Sequence, residues 1–247
     1  LTINSSKICP KNTEIYLYLT PFKKLAPETY TSILGMNEIN TGYSTVGCNK
    51  NTQIVIYRKE EWFKVLIHEL MHNLNLDFAT SNIDESIEMF YNLLKLNIKY
   101  EITETYAETW GRIINIAIAA KIKSSNYNQY NNIFKDLIKK EIIFSLEQAT
   151  KILKFVNNSI KYRENTNAYA YYVLTSALLY NSSLFIAWCY DNNNKNIFNI
   201  KKTDKIIKMF TELIIYSLQN SDYQKILSCL YDLDTNSSLR MSRLDFL

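Results

Sequence analysis

Histidine is nearly absent from this chain of 247 residues, with two copies, and glycine and proline are scarce, with four and three. The prolines, Pro10, Pro21 and Pro27, all fall in the first thirty residues. Little interrupts helix beyond them, so the C-terminal two thirds is expected to be mainly α. The four cysteines, Cys9, Cys48, Cys189 and Cys229, make no C-x-x-C pair and no zinc-ribbon spacing. Such scattered use fits reduced thiols. No dense run of lysine and arginine interleaves with aromatics and the net charge of +4 is mild, so nucleic-acid binding is not indicated. No charged-then-apolar leader opens the sequence, and the longest apolar run, around Ile113 to Ala120, is too short to span a bilayer. The expectation is a soluble, intracellular protein without a membrane partner. Its oligomeric state is left open.

Apolar residues make up 47% of the chain and aromatics 13%, enough to fold and bury a substantial core. The pattern reads as α+β, mainly α, in one domain over residues 1–247. Residues 1–58 hold the β portion, with strands over 13–20 and 52–58, the second a compact β-branched run. Residues 59–123 carry helices at about 59–74, 83–97 and 101–123. Residues 124–247 form a helical lobe, with helices at 130–139, 144–157, 163–180, 203–218 and 223–233. The asparagine-rich stretches 124–132 and 191–199 read as surface loops.

Both histidines fall in one stretch, His68-Glu69-Leu70-Met71-His72, inside an apolar segment. Residues four apart share a helix face, so both imidazoles can converge on one Zn²⁺, and Glu69 stands beside them as a base for a bound water. The bland alternative is a pair of packed core histidines. An unmatched buried His/Glu/His cluster would carry a heavy desolvation cost that a metal removes.

A catalytic zinc usually has three protein ligands and an open position. With no further histidine, the third must be acidic or a cysteine. One candidate set is the stripe Glu101, Glu104 and Glu108, which runs into the apolar segment 111–120. The other is Asp77, nine residues after His68.

The H-E-x-x-H helix with the Glu104-to-Glu108 turn resembles the gluzincin branch of the zinc metallopeptidases. That resemblance implies a zincin-like domain in which Glu104 is the third ligand. It also implies that Glu108, standing where the family has Asp, supports a metal-bound histidine from behind. The run His68 to Asp77 is also similar to the metzincin pattern, which implies Asp77 as an alternative ligand; that pattern has Gly at the place of Asn75 and its ligand at the place of Phe78. An edge strand beside the metal binds extended substrate in zincins; residues 52–57 are the expected counterpart, with the loop 40–47 bordering the cleft.

Read together, the segments 40–45, 54–65, 68–78, 104–110 and 164–172 look like a largely uncharacterised group of proteins from giant DNA viruses. This implies a viral zincin-like protein, sited in the host cytoplasm or the virion.

The attacked carbonyl needs a donor as it becomes an oxyanion. Asn165, Tyr169 and Tyr172 share a helix face if the helix is regular, and Tyr169 and Tyr172 are the candidates. The bland reading is core packing, since the chain has 19 tyrosines. Arg163 is a weaker candidate for holding a substrate carboxylate. The expected function is a peptidase with one Zn²⁺, acting on a peptide or protein substrate. Two further readings are an inactive scaffold with structural zinc that binds a viral partner, and a precursor whose tail 240–247 occupies the cleft.

Overall fold

The computed structural model describes residues 12–46, 51–159, 161–194, 196–233 and 236–245. Cys9, Cys48 and Gly47 lie outside them. The described residues are mainly helical, with a small sheet near the N-terminus.

The sheet has the order β1-β3-β2, formed by β1 (Asn12–Thr20), β2 (Gly42–Ser44) and β3 (Asn51–Arg58). β1 runs parallel to β3 with Asn12 opposite Asn51. β2 runs antiparallel to β3, with Gly42 opposite Ile56 and Ser44 opposite Ile54. The strand expected at the edge is therefore in the middle. Its β-branched run buries Thr52, Ile54, Val55 and Ile56, which suits a strand enclosed by neighbours. The edges are β1 and β2, and β2 lies inside the segment read as a cleft-bordering loop. β2 fits closely because Gly42 has no side chain: a Cβ there would lie 2.6 Å from the Val55 carbonyl oxygen.

Helices α1 (Met36–Ile39), α2 (Trp62–Asn73), α3 (Asp84–Leu94), α4 (Ile102–Ile122) and α5 (Tyr127–Asn158) follow the chain, with α1 lying between β1 and β2. α2 starts three residues later than the periodicity predicts. Glu61 adopts a left-handed conformation, φ 60°, and its carboxylate and that of Glu60 are held by groups from distant segments. α5 is one helix of 32 residues where two were expected, because nothing between residues 139 and 144 breaks it. Its start lies inside the expected loop 124–132, where the Asn126 side chain accepts from Gln129 N at 2.9 Å and caps the helix.

The helix expected from residue 163 begins at Ala168 and passes through a π-helical segment, Ala170–Leu174, into α6 (Thr175–Tyr180). α7 (Ser182–Asn192) was not foreseen and covers the first residues of the expected loop 191–199. α8 (Asp204–Leu218) and α9 (Ser221–Tyr231) lie close to expectation. Among the described residues no single helix is long and apolar enough to cross a membrane.

One apolar core joins α2 to α9 and the π-helical segment, and it includes Leu239 and Met241 of the tail. A small second cluster, Ile54, Ile56 and Val65, glues the sheet to α2. α2 also packs on α4, where Gly111 lets the backbones approach: its missing Cβ would sit 3.5 Å from His68 Cβ.

Candidate metal centre

Two rows of side chains spaced four apart face each other across the α2–α4 contact. Lys64, His68 and His72 line one helix; Glu104, Glu108 and Arg112 line the other. The helices run antiparallel here, because Lys64 meets Glu108 while His72 meets Glu104.

At the open end of the rows three atoms converge. His68 Nε2 and His72 Nε2 are 3.0 Å apart, and each is 3.1 Å from Glu104 Oε2. Ligand atoms around a tetrahedral zinc with bonds near 2.0 Å stand about 3.3 Å apart, so the triangle is close to the size a zinc ion needs. The donors are two imidazole nitrogens and one carboxylate oxygen, a set that suits zinc. Both histidines are buried, while the Glu104 side chain keeps 20% of its surface, so the triangle has one side toward solvent.

The outer nitrogens of the two rings face carboxylates. His72 Nδ1 contacts Asp77 Oδ2, and Asp77 also accepts from Ala79 N at 2.9 Å. His68 Nδ1 lies 3.1 Å from Glu108 Oε2, off the line of a well-formed hydrogen bond. Such support orients a ligand ring and fixes which nitrogen is free for a metal. Asp77 thus stands behind His72 and does not join the triangle. The short turn after α2, where Asn75 takes φ 53°, brings it back only as far as the outer nitrogen. Glu101 is also outside the triangle and pairs with Lys99.

The facing imidazoles and carboxylates shift one another's protonation. Burial opposes protonation of His72, but the carboxylates of Glu104 and Asp77 outweigh it and raise its pKa well above the usual imidazole range. Burial likewise opposes the charge on Glu104, and the two imidazoles reverse this and hold its carboxyl far below the ordinary value. Without a metal the triangle attracts a proton; a divalent cation satisfies the same field.

Behind the triangle, Glu108 receives Lys64 Nζ at 2.8 and 3.0 Å and Arg112 Nε at 2.8 Å, with all three side chains nearly fully buried. Arg112 continues to Ser145 Oγ at 2.9 Å and to the Tyr171 carbonyl at 3.2 Å. Sequence reasoning missed Lys64 and Arg112. Their positions four residues before His68 and four after Glu108 were the available signal.

Glu69 is buried, and its Oε2 accepts from Ser44 Oγ of β2 at 2.7 Å. It lines a small cavity with His68, Thr41 and Tyr171. The tyrosine expectation needs correction. Tyr172 donates its hydroxyl to the Leu239 carbonyl, and Tyr169 packs edge-on against Tyr100 at 6.1 Å. Neither lines the cavity. Tyr171 does, with its ring 5.8 Å from that of His68. Burial, then the charges of Glu104 and Glu69, raise its hydroxyl well above the usual phenol range. The face count failed because the helix begins at Ala168 and its π-helical turn rotates the residues off a regular α-helical face. Arg163 and Asn165 are exposed and serve through their backbones, which pair with Leu34.

From the tail, Met241 lines the cavity beside His68 and Glu69 with its Sδ 3.6 Å from Lys64 Nζ, and Ser242 N donates to Glu61.

Fold and site together define a mainly helical protein carrying a buried His/His/Glu triangle that can hold a metal ion. No known family's profile matches the chain, and no solved structure matches it. The chain is similar to the uncharacterized protein R210 of Acanthamoeba polyphaga mimivirus, with 26% identity over 188 residues. That match covers 68% of this chain and spans about half of the relative's length (48%). The resemblance to giant-virus proteins therefore has a named instance.

Proposed function

We propose that this protein is a zinc-dependent peptidase of the zincin type, gluzincin-like in its ligands, with His68, His72 and Glu104 holding one zinc ion. The observation that carries the reading is the triangle of two imidazole nitrogens and a carboxylate oxygen with edges of 3.0 to 3.1 Å, next to a carboxylate that is not part of it. Zinc bound there would supply Lewis acidity, polarising a peptide carbonyl and acidifying water.

The chain's own groups would do the rest. Glu69, oriented by the Ser44 hydroxyl, takes the proton of the attacking water and returns it to the leaving nitrogen. Tyr171, with its hydroxyl held protonated at neutral pH, donates toward the oxygen that gains charge. β2, as the edge strand bordering the cavity, offers backbone groups to an extended substrate. Glu108 and Asp77 act by positioning, holding the two ligand rings.

The test is cleavage of a peptide mixture by zinc-loaded protein, read by mass spectrometry, beside Glu69→Gln. The wild type should cleave, and the variant should keep zinc and fold while losing at least about a hundredfold in rate. Zinc retained by a wild type that cleaves nothing would replace this reading with that of a zinc-clamped binding module. An active Glu69→Gln protein would remove the assigned base.

A further inference from the structure

Buried side chains donate to three carbonyls of the π-helical segment, those of Ala170, Tyr171 and Val173. Thr175 shares its backbone N–H between the carbonyls of Ala170 and Tyr172 and gives its hydroxyl to that of Ala170 at 2.9 Å. In a regular α-helix the same N–H would reach the Tyr171 carbonyl, which here accepts from Arg112 Nη2 at 3.2 Å. The Val173 carbonyl accepts from the hydroxyls of Ser176 at 2.9 Å and Tyr223 at 3.3 Å. Thr175, Arg112, Ser176 and Tyr223 are all buried. Carbonyls that leave the α-helical ladder inside a core persist only where other donors meet them, and these four side chains supply the donors.

Closing this turn to a regular α-helix would rotate Tyr171 by up to about 100° relative to α6, the angle of one residue. α6 is fixed in the core through Ala177, Leu178 and Leu179, so the rotation would carry the Tyr171 ring away from that of His68, now 5.8 Å distant. Arg112 ties the same turn to the metal centre. Its Nε donates to Glu108 Oε1 at 2.8 Å, and Glu108 Oε2 stands 3.1 Å from His68 Nδ1. We infer that Thr175 and Arg112 are positioning residues, which hold the π-helical turn so that the Tyr171 ring stands beside the metal ligand His68. The role of the Tyr171 hydroxyl there, donation to the oxygen that gains charge, rests on the peptidase reading; the placement of the ring does not.

Thr175 carries the test, because Arg112 also neutralises Glu108. With two histidines in the chain, the imidazole proton resonances can be assigned, and the current of a neighbouring tyrosine ring displaces those of His68. Spectra of the 247-residue chain, with and without zinc, are compared for wild type, Thr175→Val, Thr175→Ser and Tyr171→Leu. Thr175→Val removes the hydroxyl at nearly constant shape and should move the His68 resonances in the direction that Tyr171→Leu moves them. Thr175→Ser keeps the hydroxyl and should leave them at the wild-type positions, and Thr175→Val should add nothing in the Tyr171→Leu background. If Thr175→Val does not fold, Thr175→Ala, which removes the same hydroxyl, takes its place. His68 resonances that stay put when the hydroxyl is lost, or that Thr175→Ser moves equally, overturn the inference whether or not the protein cleaves peptides. Where the zinc-loaded chain cleaves a peptide, Thr175→Val should lower kcat by about tenfold with little change in KM, and should cost nothing further in the Tyr171→Phe background. Additive losses would overturn the inference, since Thr175 would then act on the fold at large. A wild type that cleaves nothing counts against the peptidase reading, and the resonances alone then decide the positioning role.

Discussion

Each imidazole of the triangle has a carboxylate at its back, and the two carboxylates are not equivalent. Asp77 serves His72 and a backbone amide, whereas Glu108 also satisfies Lys64 and Arg112. Removing the Glu108 charge would strand two buried cations and endanger the fold, so Asp77 gives the cleaner test. Asp77→Asn should leave the protein folded and weaken zinc binding by about 10- to 100-fold, measured by competition with a chromophoric chelator. Unchanged affinity would mean that the ring of His72 is fixed by packing alone.

The α2–α4 contact that builds the site depends on glycine in a way that separates two substitutions. Gly111 sits mid-helix, and an added methyl would make ordinary contacts of 3.5 to 3.6 Å with α2. Gly111→Ala should therefore stabilise the protein by about 0.5–1 kcal/mol through helix propensity. Gly42→Ala should destabilise it by about 1–3 kcal/mol, because the new carbon would meet a carbonyl oxygen at 2.6 Å and push β2 from β3. Urea midpoints of both variants check the opposite signs.

Much of this architecture was readable in advance. The two longer strands, the motif helix and α4 follow from period, spacing and residue type, whereas the choice of Glu104 among the acidic candidates came from the resemblance to the gluzincins. What escaped the reading depends on tertiary packing. β2 is three residues long and is a strand only because β3 pairs with it. The π-helical turn that selects Tyr171 over Tyr169 and Tyr172 has no periodic signature. α7 lies in a stretch with little amphipathic contrast, where helix and loop read alike.

Across the whole molecule, the N-terminal segment, α2 and the tail are joined by buried charge. Lys24 Nζ meets Glu61 at 2.7 Å, the Lys24 amide meets Glu60 at 2.9 Å, and Ser242 N meets Glu61. Burial pushes the Glu61 carboxyl upward, but Lys24 and Lys64 outweigh it and hold it at about 2. A carboxyl lowered from its ordinary value of 4.5 contributes stability that is full above pH 4.5 and lost as pH falls through about 2. The contribution is at most on the order of 3 kcal/mol, because burial also draws the Lys24 ammonium down. Urea unfolding should thus lose stability steeply between pH 4.5 and 2. In Glu61→Gln that limb should be shallower, and an identical acid limb would show that the pair contributes nothing.

The assignment of the centre as a zinc site is tested most directly by metal content per chain, measured by mass spectrometry after gel filtration with zinc present. Wild type should carry one zinc, His72→Ala and Glu104→Ala none, and Asp77→Ala zinc that a chelator removes more readily. Zinc retained by Glu104→Ala but lost from Asp77→Ala, or a folded wild type that takes up no zinc, would contradict the account.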